Sequence, residues 1–390
     1  MLNEDIEIIK FSNQTPKDKK LLKKFVNFHW KLYENEPRFI PLFDYEFLGS
    51  RLLGITGWFE PDNLFFNHGE MMFFLAQKKG TIVGRTCAFI NHNHNKYYDD
   101  KVGFFGFFES INHQPVVNVL LDAAAAYLKA RGMQSIRGPQ NFPINEATPG
   151  ALVEGFNSPP YIYYHFNYPY YAILFKNYGM EIIKKVVAMA LPINRPIENR
   201  LATIAEKVKA IYGVTLETFS RKRSKVLRQY MFEIYNEAWQ DNWGFVPFEK
   251  EEFFSNLEGL KMIWDPKMFI FAFVKGEPAA FIGAVPNIFE KMIPIPGLKR
   301  AELLRAAKMF LTKRSIKSYR TGYFGIRPKY RKIGLDAVLF YEGKRYVQSK
   351  NYQACDVGWI LEDNDLVLRV SSFMGGERSR TYAIFQKDID

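Results

Sequence analysis

The chain has 390 residues, enough for two or three domains at roughly 100–200 residues each. With 47% hydrophobic and 24% charged residues, it has the balance of a folded protein that buries large cores. It contains no apolar run near the roughly 20 residues that span a bilayer, and its acidic opening, MLNEDIEIIKFSN, lacks the basic region and apolar core of an export signal. Two cysteines, Cys87 and Cys355, make neither a four-cysteine zinc site nor a disulfide scaffold, so a cytoplasmic location is expected.

In chain order, IEIIKF (6–11) reads as a strand. A helix follows from Thr15, an N-cap with Pro16 at the first helical position and Asp18 in the first turn, and Leu21, Leu22, Phe25, Val26, His29 and Leu32 recur at helical spacing. Residues 71–90 are two apolar runs around KKG, a β-hairpin. NHNHN, with His92 and His94, reads as a polar loop between strands, with no further ligand at metal spacing. Residues 101–110 form a buried strand, 115–132 a helix stopped by Gly132, MQSIRGP a strand, and 167–191 a helix, Gly179 and a final strand.

The second half repeats this series. VTLETF (214–219) is a strand and 225–239 an amphipathic helix. Residues 268–288 are a hairpin around KGE, and RTGYFGIRP (320–328) is a strand. Gly334–Ser349 is a helix, QACDVGWI (353–360) a strand, and 362–387 a helix, Gly-Gly and a last strand. The order β-α-β-β-β-α-β-α-β, met twice, predicts an α/β (α+β) fold of two tandem domains. Each would be a mixed, mostly antiparallel sheet flanked by helices, spanning residues 1–192 and 193–390, with the joint near PINRPIENR.

The net charge of +12 is concentrated. Residues 299–332 contain twelve Lys or Arg and one acid, Glu302, which points to an anionic partner. At the end of this stretch, GIRPKYRKIGLDAVLF runs from strand to basic loop to helix. Backbone N–H groups at a helix N-terminus converge on an anion, and Gly334 lets the backbone approach it. Asp336 would repel a phosphate there and is expected to face outward.

This order of elements, with Arg331 and Gly334 in the loop, resembles the GNAT-type N-acyltransferase superfamily, whose motif after the fourth strand is Arg/Gln-x-x-Gly-x-Gly/Ala. The match departs at Asp336; Ala337 comes one place late. A later pattern of Asn, Tyr and Gly is kept at Asn364 and Gly375, with Ser371 in place of the Tyr that often protonates the leaving thiolate. The resemblance implies coenzyme A or acyl-CoA as co-substrate, held by Ile326, Arg331, Lys332, Ile333, Gly334, Leu335, Ala337 and Asn364, and no metal. The first half lacks the cradle and carries instead a polar-aromatic stretch, RGPQNFPINEATPGALVEGFNSPPYIYYHFNYPYY (137–171). Together with NEAWQDNWGFVPF (236–248), that stretch is similar to the bacterial ceramide synthase-like tandem-GNAT proteins, which are implicated in joining a fatty-acyl thioester to a sphingoid base.

Direct transfer requires a base or water for the amine proton and donors for the carbonyl oxygen. Base candidates are Glu109, Glu146, His165 and Asp356. Asn141, Asn145, Asn167, Tyr171 and Asn242 are candidates for a polar head group, although turns and caps are the commoner use of Asn. Cys355, inside an apolar strand, reads as an inert buried thiol.

The reading is an N-acyltransferase using acyl-CoA or an acyl carrier protein, with an amine acceptor of long-chain or sphingoid type. A Fem-type transferase using charged tRNA and a non-catalytic ligand-binding module are the alternatives, and no specific nucleic-acid partner is expected. Residues 293–320 place Leu303, Leu304, Ala307 and Leu311 in an apolar stripe. This is either a plain helix docked on the core or, through 299–320, a peripheral contact with the anionic inner face of a membrane.

Overall fold

Local signals in the sequence set the element ends. Thr15 Oγ1 accepts from Asp18 N (3.2 Å) and Asp18 Oδ2 from Thr15 N (2.9 Å), a capping box that starts the first helix at Pro16. The computed structural model describes residues 5–142, 145, 147–220, 222–293 and 301–389. The first half runs β1 (Ile6–Phe11), α1 (Pro16–Leu32), α2 (Asp44–Leu48), β2 (Gly69–Lys78), β3 (Thr81–Asn91), α3 (His92–Tyr98), β4 (Val102–Ser110), α4 (Gln114–Lys129), β5 (Ser135–Gly138), β6 (Ala151–Glu154), α5 (Tyr170–Asn177) and β7 (Glu181–Pro192). The second runs α6 (Asn199–Tyr212), β8 (Val214–Thr218), α7 (Ser224–Trp239), α8 (Lys250–Leu260), β9 (Phe269–Val274), β10 (Glu277–Pro286), α9 (Phe289–Met292), α10 (Glu302–Thr312), β11 (Ser318–Ile326), α11 (Leu335–Ser349), β12 (Ala354–Leu361), α12 (Asp365–Phe373) and β13 (Glu377–Asp388).

The chain forms two compact units, and each draws on both halves of the sequence. Unit 1 comprises Met1–Val187, Met292–Lys308 and Arg380–Asp390; unit 2 comprises Ala188–Lys291 and Met309–Ser379. In unit 1 the strand order is β1-β2-β3-β4-β5-β13, with β6 also on β13. Only β4 and β5 run parallel in its described pairings. One face is covered by α4, whose Val116, Val117, Leu120, Leu121 and Ala124 are buried; the other is covered by Phe25 and Val26 of α1 among Phe59, Phe73 and Phe107. In unit 2 the order is the end of β7, then β12-β11-β10-β9-β8, with β11 and β12 parallel. Leu335, Val338 and Leu339 of α11 pack with Ala205 and Val208 of α6 on β9 and β10.

The expected series of strands and helices is present in both halves. One local reading is corrected: NHNHN opens helix α3, because the Asn91 side chain accepts from Asn93 N and His94 N and so caps it. The helices α2, α6 and α8 and the short β6 were not anticipated. No helix among the described residues is long and apolar enough to cross a membrane.

Candidate active site

Parallel strands β11 and β12 pair from Ser318↔Ala354 to Thr321↔Val357 and then diverge. The divergence begins at a bulge. Gly283 of β10 faces Tyr323 and Ala284 faces Thr321, so Gly322 is the extra residue in β11, and a bulge bends the strand that carries it. Beyond it, Arg327 N donates to Ala279 O (2.9 Å). Antiparallel pairs alternate in their hydrogen bonding, so the backbone groups of Phe324 and Ile326 point away from β10, to the edge that β12 has left. Trp239 Nε1 donates to the Phe324 carbonyl (2.7 Å), which leaves the Phe324 N–H and both backbone groups of Ile326 on that edge.

The gap is a cavity of about 640 Å³, and every residue lining it belongs to unit 2. Its walls are mainly apolar: Trp239, Phe324 and Trp359 at the divergence, Phe340 and Val347 from α11, Val370 from α12 and Met374 just past its end. Trp239 and Trp359 meet edge to face, their centroids 5.9 Å apart. Lys344 is buried in the same lining, donates to Pro196 O (3.4 Å), and is held below the usual lysine range by burial.

The basic loop closes one side. Lys332 (φ +70°) and Gly334 (φ +89°) are both left-handed, and Gly334 caps α11. A Cβ at Gly334 would also lie 2.9 Å from Val208 Cγ2, so glycine is required there twice over. Arg331 and Lys332 line the cavity; Arg331 Nη2 donates to Ala238 O (3.0 Å) and its Nη1 lies 3.9 Å from Asp241. Ile326 and Asn364 line it too. The Asn364 side chain accepts from Val367 N (3.3 Å) and so caps α12. Ile333 packs against the core and Leu335 is fully buried in it, whereas Ala337 lies outside the lining.

Asp336 does not face outward as expected; it lines the cavity. Leu335 turns into the core, and one helical step of about 100° then brings the next side chain to the open side.

The other candidates divide between the two units. Asn242 lines the cavity, as does Ser371, which is buried. Cys355 lines it as well, with its thiol pushed up to about 12 by burial and Thr321 Oγ1 3.5 Å away. Asp356 is fully buried on β12 but absent from the lining, since Cys355 and Val357 on either side point into it and successive strand residues alternate faces.

In unit 1, Glu109 Oε2 accepts from Tyr33 and Tyr171 hydroxyls, each at 2.6 Å, with Arg85 3.8 Å from Oε1. Burial raises the Glu109 carboxyl above its ordinary range despite Arg85. The His165 imidazole is pushed down to about 4 by burial. Asn141 Oδ1 accepts from Phe107 N (2.7 Å). Asn167 brackets Leu152, accepting from its N–H (2.7 Å) and donating to its carbonyl (3.1 Å). Asn145 is half-buried in a turn, and Glu146 lies outside the described residues. Among the described residues, no group of three or more His, Cys, Asp or Glu could hold a metal ion.

Sequence reasoning missed the walls: Trp359, Phe340, Tyr346 and Met374. It also passed over Trp239 as a cavity residue, though it lies in the stretch NEAWQDNWGF. No periodic signal separates an aromatic that lines a cavity from one that fills a core.

Strands that part at a bulge, a glycine-capped helix beside the gap and two mixed sheets in one chain make up a fold of the tandem GNAT type. A solved tandem GNAT protein from the clavulanic acid biosynthesis pathway superposes with a TM-score of 0.56 at 11% identity, covering 99% of each chain. No family model matches the chain. Protein YghO of Escherichia coli (strain K12) is 30% identical over 382 residues, which are 94% of this chain and 93% of that protein. The chain belongs to the family of protein YghO. It is also 28% identical over 403 residues to the bacterial ceramide synthase of Caulobacter vibrioides (strain NA1000 / CB15N), covering 99% of this chain and 98% of that one.

Proposed function

We propose that the chain is an N-acyltransferase that takes its acyl group from a thioester of coenzyme A or of an acyl carrier protein, bound in the cleft of unit 2. The supporting observation is the diverged β11 edge, which offers the Phe324 N–H and the Ile326 backbone inside a cavity whose lining includes Arg331 and Lys332, two residues before the Gly334 cap of α11. An extended amide-bearing arm pairs with a free strand edge as another strand would. The left-handed loop and the α11 N-terminus suit a phosphate. When bound, the thioester supplies an activated acyl carbon with a thiol leaving group.

The residues of the chain then do three things. The β11 backbone orients the arm and directs N–H donors at the carbonyl oxygen. The walls from Trp239 to Met374 exclude water and take up apolar chain. The Ser371 hydroxyl, which stands in the lining, can donate a hydrogen bond to the departing thiolate, and a leaving group whose pKa is near 8.5 needs no proton in order to depart. For the acceptor's proton the reading keeps Glu109, His165 and Asp356 as candidates, with Asn141, Asn145, Asn167, Tyr171 and Asn242 for its polar group. The likeness to a protein named ceramide synthase favours a long-chain or sphingoid-type amine as acceptor. The same reading places the protein in the cytoplasm, peripheral to the inner membrane face.

Thermal shift with coenzyme A and a long-chain acyl-CoA tests the donor site, because a ligand specific to the folded state raises the melting temperature. A rise with the thioester that is lost in Arg331→Ala is expected. No rise with any thioester carrier would overturn the donor reading. Mass-spectrometric detection of an amide from acyl-CoA and a sphingoid amine tests the acceptor class separately.

A further inference from the structure

An amphipathic helix on a protein surface ordinarily turns its apolar stripe inward and its charges to water. Helix α10 does the reverse. Arg305 is 0% exposed, its guanidinium centred 4.9 Å from the Phe43 ring and 5.5 Å from that of Trp30, and it donates to Pro41 O. Met309, one turn on, is buried beside it in register. Leu303 (83% exposed) and Leu311 (85% exposed) face solvent with Leu304, Ala307 and Phe310.

Burying a guanidinium carries a desolvation cost, and leaving three leucines in water forgoes apolar burial. A helix that served only its own core would invert both choices. The arrangement holds the helix by its arginine and presents the leucines outward.

Asp44 N, at the start of α2, donates to Glu302 Oε1 and so ties down the start of α10. Basic side chains border the leucines: exposed Lys313 and Arg314 follow α10, and Lys313 Nζ lies 5.5 Å from the Phe310 ring centroid.

We infer that the outer face of α10 is a docking surface that lies in the headgroup layer of an anionic bilayer. Leucines enter the acyl boundary and Lys313 and Arg314, which follow α10, meet lipid phosphates. The charge at the rim selects an anionic lipid surface over a neutral partner. The inference rests on the peripheral-membrane part of the reading above and not on the transfer chemistry. It moves the contact from the basic residues of 299–320 to leucines held out by a buried arginine.

Vesicle co-sedimentation tests it, using phosphatidylcholine alone and phosphatidylcholine mixed with phosphatidylglycerol. The wild type should sediment with the mixed vesicles and stay largely in solution with the neutral ones. Leu303→Glu/Leu311→Glu should lower partitioning at least about tenfold, and Lys313→Gln/Arg314→Gln should abolish the preference for anionic lipid. Both variants should keep the melting temperature and the thermal response to acyl-CoA, which separates this surface from the donor cleft. Equal recovery with both lipids, no recovery with either, or full binding by the leucine variant would overturn the proposal. So would a change of solution mass in the leucine variant by light scattering, which would mark the face as a contact between copies of the chain.

Discussion

The two units treat the same opening in opposite ways. In unit 2 the parallel strands part after Thr321 and Val357, and the gap is a cavity of about 640 Å³. In unit 1 the equivalent strands part after Phe104 and Arg137, and the chain fills the gap at once. Gln140 N donates to Phe105 O (2.8 Å), the Asn141 side chain accepts from Phe107 N (2.7 Å), and the Phe142 ring is buried 4.6 Å from that of Phe65. The difference lies in how the second strand of each parallel pair ends. β12 runs on to Leu361 before turning into α12, whereas β5 stops at Gly138 and Pro139 sends the chain back across the β4 edge. The proposed donor site therefore depends on an unpaired strand edge rather than on the fold alone, and unit 1 has paired its own.

The comparison breaks most sharply at two glycines. A Cβ on Gly106 would lie 1.8 Å from the Gln140 carbonyl oxygen, a backbone atom that cannot move aside. Gly106→Ala should cost about 3 kcal/mol or more in urea unfolding. On the open side, a Cβ on Gly322 first meets Gly358 O at 3.4 Å, and Gly322→Ala should stay within about 1 kcal/mol of wild type. Equal costs would mean that the two openings are equally filled.

Asn141→Ala comes next. It leaves the N–H of the buried Phe107 without the acceptor at 2.7 Å, worth about 1–3 kcal/mol of stability. Thioester binding, measured by calorimetry, should be unchanged. A loss of acceptor turnover at unchanged stability would instead make Asn141 the substrate ligand that the proposed function allows.

Unit 1 also holds a mostly buried titratable carboxylate near the end of β4, and pH exposes it. Burial raises the Glu109 carboxyl in unit 1 above its ordinary range, with Arg85 opposing. The folded chain therefore binds this proton more tightly than the unfolded chain. Its contribution to stability is full below the ordinary glutamate pKa and is lost as pH rises through the raised one. Glu109→Gln keeps an acceptor for Tyr33 and Tyr171 and removes the titration. Its melting temperature should fall less than that of wild type over that interval, and parallel curves would show that Glu109 ionises freely.

How much of this could be read in advance depends on how local each feature is. Strand and helix order is local, and apolar periodicity with Thr15, Gly132 and Gly334 as punctuation carried it. The cradle was legible for the same reason, since Arg331 and Gly334 stand in the short loop between strand Ser318–Ile326 and helix Leu335–Ser349. The strand that completes unit 1 was not, because Arg380–Asp390 has the pattern of any buried strand and its partner β5 is remote in sequence. Periodicity found the leucine stripe of α10 but not its direction, which is decided by Arg305 beneath it. Polar residues in 137–171 resembled head-group ligands, yet Asn141 and Asn167 spend their hydrogen bonds on backbone that has no ladder partner.

The smallest expected effect sharpens the comparison most. If unit 2 is the donor unit, a phosphate rests near the α11 N-terminus, and Asp336 in the lining opposes it. Two like charges roughly 5–10 Å apart repel by about 0.4–0.8 kcal/mol where water screens them. Asp336→Ala should therefore tighten coenzyme A binding about two- to fourfold, and less as salt is raised. Pantetheine, which has the arm without the phosphates, serves as the control and should bind equally to both forms. If both ligands tighten together, Asp336 acts by shaping the cavity; if coenzyme A is unaffected, the phosphate lies elsewhere and the loop Lys329–Gly334 is only a turn.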